Sequence, residues 1–156
     1  MAEARAWLAD AAEAEAVARL LIEFRDWYGR RDPPDDAFLD GVRRLIACDD
    51  TDYLLAGTDG DEPGGVCQLR YRYAVWMAAD DCWLEDLFVR EHHRGKGLGE
   101  ALVAKAIARA RERGCGRVEL DVSESNRVAW ALYERMGFSP DYKPAAPNVL
   151  MGLKLR

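Results

Sequence analysis

The stretch from Trp83 to Glu100, WLEDLFVREHHRGKGLGE, constrains this chain more than any other. Trp83, Leu84, Leu87, Phe88 and Val89 form an apolar run of strand length, broken by the acidic pair Glu85 and Asp86 and closed by RGKGLG. Beyond Gly99 the spacing of apolar residues becomes helical, so the segment reads as strand, glycine turn and helix start. Alternating glycines at Gly95, Gly97 and Gly99 leave backbone N–H groups uncovered where the positive end of a helix dipole begins, which suits an anion. Arg94 and Lys96 add two cations to the turn, and Leu98 lies between its last two glycines. The expected ligand therefore has more than one phosphate, a pyrophosphate for example.

What the turn lacks narrows the choice. A Walker A loop needs Ser or Thr after its lysine to hold magnesium, and here Lys96 is followed by Gly97. A dinucleotide fingerprint would need a glycine where Glu100 or Leu102 stands, and it normally follows a first strand rather than one in mid-chain.

The 156 residues suffice for one domain with a real core, expected to span 1–156. A net charge of −6 argues against a nucleic-acid binder and mildly favours a cationic substrate. No apolar run approaches the ~20 residues of a membrane span. The opening MAEARAWLADAAEAEA is acidic where a signal peptide is basic and then apolar, so a cytoplasmic protein with no membrane partner is expected. Cys48, Cys67, Cys82 and Cys115 show no CxxC pairing, and His92 and His93 are adjacent, so neither a disulfide framework nor a metal site is expected.

Along the chain, Arg5 to Ala9 reads as a first strand, and Asp10 and Glu13 have capping-box spacing before a helix that Gly29 stops. The polar turn RRDPPDD leads into a second helix from about Pro34 to Cys48, and the two helices together suit a lid. Asp32, Asp35, Asp36 and Asp40 concentrate negative charge there. Tyr53 to Thr58 and Gly65 to Met77 read as a hairpin across DGDEPGG, followed by the antiparallel strand Trp83 to Val89. A helix with Leu98, Leu102, Val103, Ile107 and Ala110 on its buried face then crosses to the strand Arg117 to Val122. A helix from Asn126 to Met136 and a terminal hairpin, Phe138 to Tyr142 with Asn148 to Leu155, complete the reading.

RxxGxG, supplied by Arg94, Gly97 and Gly99 after LEDLFV, resembles the acetyl-CoA-binding segment of the GCN5-related N-acetyltransferases, the GNAT superfamily. A second segment, SESNRVAWALYERMGF, resembles that family's NxxAxxLYxxxGF pattern at Asn126, Ala129, Leu132, Tyr133, Gly137 and Phe138. Helical spacing independently puts Asn126, Trp130 and Tyr133 on one stripe. The likeness covers Tyr53 to Phe138; the first fifty residues and the tail match only in element order.

The resemblance implies an α/β (α+β) fold: a mixed, mostly antiparallel sheet of about seven strands, two of them splayed, with four flanking helices. It implies acetyl-CoA as cosubstrate, with no metal and a homodimeric state. Pantetheine would pair with the strand backbone at Leu87, Phe88 and Val89, and the phosphates with Arg94, Gly95, Lys96, Gly97, Leu98 and Gly99. Asn126 and Tyr133 would complete the cofactor site from the last helix. For acetyl transfer to an amine, Tyr133 is the expected acid for the departing thiolate, Glu85 the expected base, and the N–H of Leu87 or Phe88 the donor to the acetyl oxygen. Strand alternation puts Asp86 on the opposite face, where a structural role is expected. The LED triplet also resembles the spermidine/spermine acetyltransferases. The acceptor expected is a small cationic primary amine. A protein N-terminus or lysine, or an acyl-CoA sensor without turnover, are the alternatives.

Overall fold

The computed structural model describes residues 2–140 and 149–156. Its elements run β1 (Ala4–Leu8), α1 (Ala14–Trp27), α2 (Asp35–Ile46), β2 (Thr51–Thr58), β3 (Gly65–Ala74), β4 (Ala79–Val89), α3 (Leu98–Glu112), β5 (Arg117–Glu119) and α4 (Arg127–Arg135). The described sheet has five strands in the order β1-β2-β3-β4-β5 rather than seven. All neighbours are antiparallel except β4 and β5, which the α3 crossover makes parallel. Of the expected terminal hairpin, residues 138–140 and 149–155 carry no strand, and 141–148 lie outside the described residues. No described helix is long and apolar enough to cross a membrane.

Two apolar layers sandwich the sheet. β2 is buried along its whole length because helices cover both of its faces. On one face Val17, Leu20 and Leu21 of α1 and Val42 of α2 pack on Tyr53, Leu55, Val66 and Phe88. On the other, Leu98, Leu102 and Ala106 of α3 pack on Leu54, Cys67, Leu69, Cys82 and Leu84. Both cores follow from strand alternation meeting amphipathic helices.

Local signals set the helix ends. Asp10 and Glu13 form the capping box, with Asp10 accepting from the Ala12 N–H at 2.9 Å and Glu13 reaching back to the Asp10 N–H at 3.3 Å. Gly29, at φ +72°, ends α1 in a Schellman motif: its N–H bonds the Asp26 carbonyl at 2.9 Å and the Arg30 N–H bonds the Arg25 carbonyl at 3.1 Å. The Arg25 side chain then holds the connection to α2 by donating to the Pro33 carbonyl at 2.7 Å and pairing with Asp35 at 2.8 Å. At the far end of the sheet, buried Asp52 accepts from Tyr71 and Arg109 at 2.7 Å each, which ties the end of α3 to β2 and β3.

Leu102 is fully buried between α3 and the sheet, so Leu102→Ala removes transferred surface and leaves a cavity. The expected loss is about 2–5 kcal/mol of unfolding free energy by denaturant titration. A loss under about 1 kcal/mol would contradict this packing.

Candidate active site

Strand β4 organises the site. It pairs with β3 from Ala79 to Val89, but with β5 only at Asp81, Cys82 and Trp83. Arg117 pins the two strands together at that end, its guanidinium bonding both oxygens of buried Asp81 at 2.7 and 3.0 Å. Beyond Trp83 the strands part, and among the described residues no strand pairs with Leu84 to Val89 on that side. The expected strand Arg117 to Val122 is correspondingly short, ending at Glu119.

A bulge interrupts β4 where it leaves β5. Leu69 faces Leu84 and Gln68 faces Asp86, so Glu85 is the inserted residue. This overturns the expectation that Glu85 and Asp86 lie on opposite faces. Cys82 and Leu84 before the bulge, and Leu87 and Val89 after it, all face α3, while Asp86 and Phe88 turn toward α1 and α2. Glu85 lies on that face as well, because its partner at 3.7 Å is Arg70, which alternates with α3-facing Leu69 and Tyr71. Glu85 is exposed and Asp86 is half-buried.

Above Asp86 lies a cavity of about 340 Å³ between α1 and α2. Its floor is the cross-strand row Tyr53, Gln68 and Asp86, and Leu21, Phe24, Phe38 and Val42 form much of its walls. Burial first, then the charges of Glu85 and Asp121, pushes the Asp86 carboxyl up to about 6. Three contacts fix α1 against β4 and the turn after it. Glu23 takes a bidentate pair from Arg90 at 2.7 Å for each bond, Phe24 stacks on Phe88 with centroids 5.1 Å apart, and the Arg94 guanidinium lies 5.4 Å over Trp27.

The glycine turn has the conformation its sequence suggests. Gly95 and Gly97 hold φ of +75° and +84°. Gly99 serves packing instead, since a Cβ there would stand 3.2 Å from Leu132 of α4. No side chain caps the start of α3, so the N–H groups of Leu98, Gly99 and Glu100 face outward at the positive end of the helix. The Leu98 side chain is buried in the core, leaving only its N–H for a ligand. Lys96 is exposed, whereas Arg94 donates to the Val89 carbonyl at 3.0 Å.

Helix α4 brings the last residues. Asn126 is its N-cap, accepting from the Ala129 N–H at 3.2 Å, and is exposed. Tyr133 is buried, packs edge-on against Phe138 at 5.8 Å, and stands in the wall of a second cavity of about 640 Å³ with Val118, Leu120 and Trp130. Burial raises its phenol well above the usual tyrosine range, with Cys67, Asp121 and Tyr28 adding to the shift, so it stays protonated at neutral pH. The charge of Asp121 adds to the upward shift of both Asp86 and Tyr133.

Sequence reasoning missed Tyr53 and Gln68 and gave Asp86 no chemical part. One signal was available. Cys82 and Leu84 are even-numbered, whereas Leu87 and Val89 are odd-numbered, and a strand with one buried face changes parity only by inserting a residue.

The sequence model of the acetyltransferase (GNAT) family matches residues 7–138. Streptothricin acetyltransferase of Streptomyces lavendulae is 36% identical over 108 residues, which cover 68% of this chain and 54% of that protein. Thialysine N-epsilon-acetyltransferase of Bos taurus is 32% identical over 81 residues, covering 49% of this chain and 47% of that one. The chain spans about half the length of the curated relatives it matches. A candidate acetyltransferase from Arthrobacter sp. FB24 superposes with a TM-score of 0.83 at 30% identity, over 96% of this chain and 94% of that one. An aminoglycoside N-acetyltransferase solved with CoA shares the fold, with a TM-score of 0.78 at 19% identity over 100% of this chain and 97% of that one.

Asp86 makes a stability prediction. Its folded pKa lies above the unfolded value, so between about pH 4 and about pH 6 the folded state holds more protons and stability falls as pH rises. Above that window the burial cost is complete. Asp86→Asn removes it and should raise unfolding free energy by about 1–3 kcal/mol at pH 8, the gain fading toward pH 4. Thermal melts of both proteins across that range check the sign, and a destabilised variant at pH 8 would refute it.

Proposed function

The chain belongs to the acetyltransferase (GNAT) family, and from that premise we propose that it transfers the acetyl group of acetyl-CoA to a small cationic primary amine, by direct attack in a ternary complex. One observation carries this reading: β4 parts from β5 after Trp83, between an uncapped helix start and two cavities, one lined by Asp86 and the other by Tyr133. The residues present fit acetyl-CoA. The N–H groups of Leu98, Gly99 and Glu100 and the Lys96 ammonium would hold its pyrophosphate, with Gly95 and Gly97 keeping side chains out of the way. The unpaired edge of β4 at Leu87, Phe88 and Val89 would take the pantetheine amides as an added strand. Arg94 donates to the Val89 carbonyl through Nε, and its terminal nitrogens would serve a phosphate. Asn126 would hold the mouth of the wedge as the cap of α4.

The acceptor enters between α1 and α2 as an ammonium and must lose a proton before it attacks. Asp86, titrating near 6, is charged at neutral pH and basic enough to take that proton, with Glu85 beside it on the same face. The amine nitrogen then bonds to the thioester carbonyl carbon while the N–H of Leu87 or Phe88 supports the oxygen. As the C–S bond breaks, the thiolate, whose acid has a pKa of ~8.5, takes the Tyr133 proton, the nitrogen of the new amide releases its extra proton to solvent, and the phenolate is reprotonated from solvent. The modest volume of the cavity, about 340 Å³, favours a small molecule over a peptide. The curated relatives' named acceptors, streptothricin and thialysine, support an amine. Pairing of two copies and a cytoplasmic location accompany this reading as expectations.

A panel of small amines and peptides with detection of released thiol tests the proposal, and thiol release with peptides alone would favour a protein acceptor. Gly97→Asp should abolish acetyl-CoA binding by calorimetry, because any side chain at φ +84° is strained and this one adds like charge. Tyr133→Phe should lower turnover roughly 10²- to 10⁴-fold with near-normal acetyl-CoA affinity. The Asp86 carboxyl should give kcat/KM an ascending limb near pH 6 that disappears in Asp86→Asn. Unaltered turnover in Tyr133→Phe, with chemistry rate-limiting, would remove that residue from the mechanism.

A further inference from the structure

The cavity over Asp86 has two poles. Asp86 rises from its sheet floor, while the cationic groups Arg25 and Arg30 come from the end of α1 and its connection to α2. These two arginines differ in availability. Arg25 is consumed: its guanidinium bonds Asp26 at 2.9 and 2.7 Å and the Pro33 carbonyl at 2.7 Å, and pairs with Asp35 at 2.8 Å. Arg30 is exposed and forms no side-chain hydrogen bond or ion pair with any described residue. Its backbone is nonetheless fixed, since its N–H closes the Schellman motif on the Arg25 carbonyl at 3.1 Å. A guanidinium that lines a cavity and has no partner there is available to a carboxylate.

None of Asp32, Asp35, Asp36 and Asp40 lines the cavity. Asp35 is engaged by Arg25, and Asp36 accepts from the Ala37 N–H at 2.9 Å at the start of α2. A polycation would meet Arg30 on entry and find one carboxylate, Asp86, at the floor. Between the poles the wall is apolar, with Leu21, Phe24, Phe38 and Val42 suited to methylene groups.

We propose that the acceptor is an amino acid of the basic class, whose side-chain amine reaches Asp86 and whose carboxylate is bound by Arg30. This rests on the acetyltransfer reading and narrows its acceptor. Arg30 is a specificity residue under this assignment and takes no part in bond making.

The test compares matched acceptors that differ only by the carboxylate: lysine against cadaverine, and ornithine against putrescine. In the wild-type protein kcat/KM should favour the amino acid of each pair at least tenfold. Arg30→Gln should reduce that ratio about tenfold, mainly through a higher KM for the amino acid, and Arg30→Lys should recover part of it. Binding of the same four compounds to the CoA-saturated protein, measured by thermal shift, supplies a readout independent of turnover. Carboxylate-dependent binding that is lost in Arg30→Gln supports the assignment even if no acetyl transfer occurs, in which case it is the reaction that fails. Transfer that favours the diamines, or a ratio that Arg30→Gln does not move, overturns the carboxylate assignment and leaves the acetyltransferase reading standing.

Discussion

Strand β4 is paired from Ala79 to Val89 on one side, the inserted Glu85 excepted, and among the described residues at only three positions on the other, and the site depends on that asymmetry. A parallel strand that paired throughout would bury the backbone groups of Leu84 to Val89 in the sheet and leave no edge for a ligand. Divergence is cheap here because the joined end is strongly clamped: Arg117 bonds Asp81 through two donors and also pairs with Glu119 at 2.9 Å. The bulge at Glu85 bends the strand just beyond that clamp. It also resets the alternation of side chains, which is why two successive carboxylates face the same helices.

The helical cover is held to this strand rather than resting loosely on it. Glu23, Phe24 and Trp27 of α1 contact Arg90, Phe88 and Arg94, three positions spread along the end of β4 and the turn that follows. A ligand that drew Arg94 from Trp27 and the Val89 carbonyl toward a phosphate would therefore alter a contact to the helix whose Phe24 and Tyr28 line the acceptor cavity. The glycine turn and the cavity over Asp86 thus both contact α1.

Charge burial is distributed unevenly between the stabilising and the reactive parts of the molecule. Asp52 and Asp81 are buried with arginine partners at 2.7 Å, the arrangement in which a buried carboxylate is compensated. Among the described residues Asp86 has no such cation, and the charges that act on it come from Glu85 and Asp121. A carboxyl left in this state is poorly solvated, basic and costly to the fold, which is the condition a proton acceptor for an ammonium requires. Burial raises the Tyr133 phenol as well, which keeps that group protonated at neutral pH.

The sequence by itself determined the order of the elements, most of their boundaries and the chemistry of the glycine turn, because these depend on neighbours within a few residues. The capping box at Asp10 and Glu13, the stop at Gly29, the left-handed Gly95 and Gly97 and the N-cap at Asn126 are all local events. Both family motifs were legible for the same reason, being short and contiguous. Only the tertiary structure decided which carboxylate meets the acceptor cavity. Glu85 and Asp86 are neighbours in sequence, and their faces depend on a register shift against Gln68 and Leu69, while their burial depends on helices about 40 to 70 residues earlier in the chain. It likewise decided that Arg25 is spent on the α1–α2 connection and that Arg30 is not, a difference between two exposed-type residues that no local pattern encodes. Distance along the chain, rather than residue type, separated what could be read from what had to be folded.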